Sequence, residues 1–209
     1  MRKSIKKMVG IRVAVALFAV ILFSVMMTIN ILRVDRTQTA SIQANSLLDK
    51  AQRAEAAHYK WSGNLSNALY AGTEFTGSID PTTCVLGQWL YGEAGTDDAQ
   101  ILSLRSQLEP LHKELHESAT EALDMLSANP QQAQAFYQET IQTNLNTLVG
   151  LLENVVERGT VLNDETKEEM EQTLVMMHIT SIVGLSLSLI ALISLVFYVL
   201  GKIVKPLIL

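Results

Sequence analysis

A single cysteine, Cys84, stands in the 209 residues. It excludes an intramolecular disulfide and leaves the thiol as a buried small hydrophobe, an intermolecular link, a metal ligand or a reactive sulfur. Prolines are sparse too, four in all, so little interrupts long helices. Acid is absent from both ends. Residues 1–32 hold Arg2, Lys3, Lys6, Lys7 and Arg12 with no Asp or Glu, and residues 179–209 hold Lys202 and Lys205, again with no acid. The middle, 33–178, therefore carries nine of the 16 basic residues and all 21 acidic ones, 9 − 21 = −12. So acidic a middle argues against a nucleic-acid partner.

Charge of either sign is missing from two long stretches. Residues 13–32, VAVALFAVILFSVMMTINIL, form an uncharged apolar run, and 20 residues of helix measure about 30 Å, the thickness of a bilayer core. No Asp, Glu, Lys or Arg occurs from Gln172 to Gly201, which leaves room for a second span over 179–201. The basic residues unbalanced by acid lie mostly on the terminal side of each span, so the positive-inside rule puts both termini in the cytoplasm. A two-pass protein of the plasma (inner) membrane follows, with 1–12 cytoplasmic, 33–178 extracytoplasmic and 202–209 cytoplasmic again. A cleaved signal peptide fits the first span poorly, because the apolar run is long and no A-x-A site follows.

The middle reads as helical. Ala40, Ala44, Leu47, Ala51, Ala54, His58, Trp61, Leu65 and Ala68 recur at alternating steps of four and three, the seam of a packed helix, which should end near Gly72 in a run of turn formers reaching Pro81. Thr82 or Thr83 can cap a short helix starting near Cys84 and ending around Gly92 or Gly95. A second long helix follows Asp97, with Leu104, Leu108, Leu111, Leu115 and Ala122 on one face, and Asn129-Pro130 stops it. Pro110 inside it predicts a kink, or a restart capped by Ser106 with Glu109 reaching back. The last stretch, from Gln131, carries Leu145, Leu148, Leu152, Val155, Gly159 and Leu162 in heptad register and reads as one helix running into the second span, with a turn near Gly159-Thr160 as the alternative. A chain that leaves and re-enters the same membrane face needs an even number of long passes. The expectation is an all-α fold: an antiparallel four-helix bundle with one short helical element, between two transmembrane helices.

Three of the four histidines fall on core-facing positions of this bundle. His112 and His116, four apart, project side by side from one helical face, and His58 lies on the seam of the first helix. Singly, each reads most simply as a hydrogen-bonded core histidine, Cys84 as an inert buried thiol, and Trp61 and Trp89 as core aromatics. His178, at the membrane boundary, is assigned no function. Together, His58, Cys84, His112 and His116 are the donor set of a closed tetrahedral Zn2+ site, structural or sensory rather than catalytic because no position is left for water. Cys84 near a helix N-terminus should favour the thiolate. No nucleophile–base pair or phosphate loop suggests an enzyme.

The pattern His58-Tyr-Lys-Trp61, twenty-two residues, Cys84-Val-Leu-Gly-Gln-Trp89, twenty-two more, and His112-Lys-Glu-Leu-His116 resembles the chemoreceptor zinc-binding domain of bacterial receptors and diguanylate cyclases, over about residues 50–150. The resemblance implies a four-helix zinc-binding bundle, usually a homodimer, with all four residues on one zinc. In much of that family the domain is cytoplasmic and follows the signalling module, whereas here it lies between two apolar spans, like the helical sensor domain of chemotaxis receptors. Lys202-Ile-Val-Lys-Pro206-Leu resembles the start of a HAMP linker, which implies a cytoplasmic signalling module beyond it. The expected function is an extracytoplasmic zinc sensor. An oxidant sensor through zinc-bound Cys84, and a small-molecule chemoreceptor with a structural zinc, use the same site.

Overall fold

The computed structural model describes residues 2–205, with side chains from residue 5 to residue 205. Among these residues there is no strand. The helices are α1 (Arg2–Ala71), α2 (Val85–Tyr91), α3 (Ala99–Ala128), α4 (Pro130–Phe136) and α5 (Gln142–Val199), with π-helical turns at Tyr137–Ile141 and Leu200–Val204. Expected ends and observed ends agree at several places. α1 stops at Ala71, where Gly72 takes a left-handed φ of 69° that a side chain would resist. α3 starts after Asp98, whose carboxylate accepts from the Ile101 N–H at 2.9 Å. It ends at Asn129, which caps α4 through its side-chain oxygen.

Two expectations are corrected, and the alternative of a turn near Gly159 is not taken up. α3 runs through Pro110 with no restart, and the Ser106 hydroxyl donates back to the Ser103 carbonyl instead of capping a new helix. Neither Gly150 nor Gly159 breaks α5. Packing outweighs the cost of about 1 kcal/mol per interior glycine, because Leu148 just before them and Leu152 and Val155 between them are completely buried. The stretch from Gln131 is also not one regular α-helix, since a π turn intervenes at Tyr137–Ile141. It seats Tyr137 against α1, where the phenol donates to the Ser62 carbonyl at 3.1 Å and meets the Ser62 hydroxyl at 2.9 Å, with the Gln142 amide donating to both hydroxyls.

The chain divides into two compact units, residues 40–165 and residues 1–39 with 166–209. The first is built around an apolar core to which α1 gives Leu47, Ala54 and Leu65, α2 Leu86 and Trp89, α3 Leu108 and Leu115, and α5 Leu148 and Leu152. Arg158 of α5 pairs with Asp98 at the head of α3 at 2.8 Å, which holds the Asp98 carboxyl below its usual range. In the second unit α1 and α5 are long and apolar enough to cross a bilayer. Their large side chains point outward, with Phe18 67 % and Phe197 72 % exposed. The HAMP-like stub lies from Pro206 onward outside the described residues.

Candidate metal centre

Within unit 40–165 four side chains from three segments converge. His58 comes from α1, Cys84 from the residue that opens α2, and His112 and His116 from successive turns of α3. One donor atom from each lies within 4.8 Å of all the others. Bonds of about 2.0–2.1 Å to nitrogen and 2.3 Å to sulfur, at tetrahedral angles, would separate such atoms by about 3.3–3.6 Å. The Cys84 Sγ to His112 Nε2 distance is 3.2 Å and that from Sγ to His58 Nε2 is 4.0 Å. The cluster therefore brackets the size of a zinc tetrahedron and needs only side-chain adjustment to close on an ion. The imidazoles are 2 % exposed or less, with ring centroids 4.6–5.9 Å apart.

The outer contacts set which nitrogens face inward. His58 Nδ1 lies 2.7 Å from the Ala54 carbonyl and His116 Nδ1 lies 3.1 Å from the Ser78 carbonyl. A carbonyl can only accept, so both rings carry their proton on Nδ1 and turn the Nε2 lone pair inward, as second-shell partners do for metal-binding histidines. His116 Nε2 is buried with no protein partner, an orphaned acceptor that fits a metal. The Ser78 carbonyl also accepts from Trp61 Nε1 at 2.8 Å, so Trp61 is more than a core aromatic: it helps fix the loop that braces His116. His112 has no such brace, and its Nδ1 is buried without a partner.

Cys84 is delivered by a tight turn. Asp80 Oδ1 accepts from the Thr82 N–H at 2.8 Å and its hydroxyl at 2.7 Å, which holds the Asp80 carboxyl low. Neither Thr82 nor Thr83 caps α2. Cys84 does so itself, its sulfur accepting from the Gly87 N–H at 3.3 Å. Gly87 is required for close approach, since a Cβ there would run into the Pro81 carbonyl. That contact explains the glycine three residues after the cysteine in the motif.

The expectation of a favoured thiolate is corrected. Burial pushes the Cys84 thiol up, and the Gly87 and Leu86 N–H groups only partly offset it, because desolvation of a charged sulfur outweighs one short helix end. Burial likewise lowers His58, and burial with mutual repulsion brings His112 to about 3 and His116 to about 4. The pocket is thus arranged for neutral imidazoles, the form that binds metal. The residues present fit Zn2+: three neutral nitrogens and one sulfur, preassembled and closed to a fifth ligand.

Residues 58–123 match the family model of the chemoreceptor zinc-binding domain. The match starts on the first histidine and contains all four donors, a narrower stretch than the resemblance over 50–150. No curated protein and no solved structure matches the chain. The family match and the buried His3Cys cluster together mark this segment as similar to zinc-binding, chemoreceptor-related signalling domains. The four residues named from the sequence are the four that the fold brings together. Sequence reasoning did not find the Ala54 and Ser78 carbonyls, because main-chain atoms leave no signature, nor the buried Ser62–Tyr137–Gln142 network. For that network the only available signal was a tyrosine on an apolar seam.

Proposed function

We propose that the chain is the sensory region of a bacterial two-pass receptor, in which His58, Cys84, His112 and His116 bind one Zn2+ and metal occupancy alters the positions of the helices. The observation that carries this reading is the convergence of four donors within 4.8 Å, two of the histidines braced in the metal-binding tautomer. Bound zinc would supply a crosslink between α1, the Cys84 turn and α3. It would not supply catalysis, because four protein ligands leave it no open position. In this reading residues 33–178 form an extracytoplasmic antiparallel four-helix bundle, 13–32 and 179–201 cross the plasma membrane, and both termini are cytoplasmic. The support is the outward apolar surface of the two spans and the basic residues on their terminal flanks. A homodimer, with a HAMP-type linker passing the signal to a cytoplasmic module, completes the receptor.

The chain remains helical from Arg2 to Ala71 and from Gln142 to Val199, so a shift of either helix at the metal has a continuous backbone along which to act. Metal analysis of the full chain should find about one zinc per chain, and Cys84→Ser and His116→Ala should abolish it. Cysteine crosslinks between α1 and α5 near the cytoplasmic ends should change on chelation. An unchanged pattern in a domain that stays folded would remove the sensing claim, and chelation that unfolds the domain would make zinc structural. Labelling of a Glu121→Cys, Cys84→Ser chain by a membrane-impermeant thiol reagent in intact cells tests the topology, and no labelling would place the domain in the cytoplasm.

A further inference from the structure

Two arginines stand where the charge pattern does not call for them. Arg33 and Arg36 follow directly on the first apolar span, on its acidic side. At 1.5 Å per residue they lie about 2–6 Å beyond Leu32, inside a headgroup layer of about 5–7 Å. Neither has an acidic partner among the described residues, since the ion pairs lie elsewhere. Both instead line a cleft of about 280 Å³ within unit 1–39/166–209, together with Asn30, Thr37, Glu169 and Thr173. Asn30 is 7 % exposed and its Nδ2 has no hydrogen-bond partner.

An apolar groove of about 360 Å³ lies on the same helix pair, lined among others by Ala19, Met26, Thr180, Val183 and Leu187. Cleft and groove share helix faces. Arg33, Met26 and Ala19 are successive heptad positions on α1, and Glu169, Met176 and Val183, like Thr173, Thr180 and Leu187, are successive heptad positions on α5. Heptad steps keep residues on one side of a packed helix pair. From Met26 to Val15, the lining extends about 16 Å along the helix, close to half of a bilayer core of about 30 Å.

We infer that this face of the α1–α5 pair binds one phospholipid with an ethanolamine headgroup, its phosphate between Arg33 and Arg36, its ammonium at Glu169 and an acyl chain along the groove. The inference rests on the membrane-spanning reading above. Two guanidiniums and one carboxylate around one cleft match a phosphodiester with a nearby cation. An anionic lipid would leave Glu169 facing like charge. A mouth that is polar and a groove below it that is apolar apart from Thr180 match the two ends of a lipid better than a soluble phosphate ester.

The full chain, reconstituted in vesicles of mixed phosphatidylethanolamine and phosphatidylglycerol and then extracted gently, should retain about one phospholipid by native mass spectrometry, enriched in ethanolamine. Arg33→Gln and Arg36→Gln should each lower retention by about fivefold. Glu169→Gln should keep the lipid and lose the headgroup preference. Zinc content, expected to be unchanged, reports that the rest of the chain is folded. Equal retention by wild type and the double arginine variant would overturn the inference, as would displacement by soluble phosphoethanolamine alone. Loss of dimer crosslinking in the arginine variants with no change in lipid would overturn it too, assigning the guanidiniums to a second copy. If any of these occurs in a chain that still floats with vesicles, the receptor reading stands without the lipid site. Failure to float removes both.

Discussion

Leu108 and Leu189 are the same side chain on two long helices, yet Leu108 is completely buried and Leu189 is 58 % exposed. The contrast extends to the two units that hold them. Within 40–165 the apolar residues follow a seam, point inward and surround the histidines. In the other unit they cover the helix pair on all sides, and its buried polar groups, such as Asn30 and Ser188, are scattered and lack partners. A one-sided stripe is the mark of a helix packed in water, whereas a helix apolar all round needs an apolar surrounding. Nearly all of the chain is helical, so secondary structure does not distinguish the units. The distribution of polar groups does, and it also places the chemistry, because converging donors require an interior in which their desolvation can be repaid by a metal.

The largest test of that contrast is metal removal. Replacing Cys84 by Ser or His116 by Ala should eliminate stoichiometric zinc, measured by elemental analysis of the full chain. Chelation should lower the thermal stability of hydrogen-exchange-protected amides in 40–165 and leave those of 13–32 unchanged. Equal effects in both units would break the distinction. Next in size, Leu108→Ala should cost about 2–5 kcal/mol by leaving a core cavity, while Leu189→Ala, where no core exists to be emptied, should stay within about 0.5 kcal/mol. Denaturation in lipid vesicles measures both, and similar losses would mean that Leu189 is packed against protein.

The way these differences were written into the sequence also explains what could be read from it. Seam residues and the two spans repeat over many turns, so period and composition suffice to find them. The donors were legible because one cysteine and three core-facing histidines are rare enough for their combination to carry information. Local geometry was less accessible. The π turn at Tyr137–Ile141 has no residue that demands it, since its cause is the tertiary contact of Tyr137 with Ser62. The continuity of α3 through Pro110 likewise depends on Leu108 and Leu115 being buried on either side. The raised thiol of Cys84 is not legible in the sequence, because position along a helix is visible there and depth of burial is not.

A smaller effect should follow from Gly87→Ala. The new methyl group meets the Pro81 carbonyl, which displaces the turn that carries Cys84 without substituting any of the four candidate ligands. Zinc affinity should fall by about 10–100-fold, the range seen when supports of metal ligands are altered. Competition titration with a chromophoric chelator would measure it, and unchanged affinity would show that the cysteine is positioned independently of this contact.

The smallest expected signal is protonic. His58, His112 and His116 are all lowered, the last two to about 4 and about 3 for His116 and His112 respectively, so all three are neutral at pH 7, whereas the Cys84 thiol is raised above 9.0 and is protonated there. Zinc binding at pH 7 should therefore release about one proton per ion, from Cys84, measurable as the dependence of calorimetric binding enthalpy on buffer ionisation. Release of two or more would mean that the imidazoles carry charge before the metal arrives. The same shifts fix how the metal-free domain responds to acid. The unfolded chain takes up imidazole protons from 6.5 downward while the folded one resists. The histidine contribution to stability is fully present above pH 6.5 and is lost as pH falls toward 4 and then 3. The cysteine acts in the opposite direction, its contribution being lost only as pH rises past 9.0. Metal-free stability of 40–165 should thus form a plateau between these limits. The apolar stretches 13–32 and 179–201, which hold no histidine, should show no such decline over the acid range.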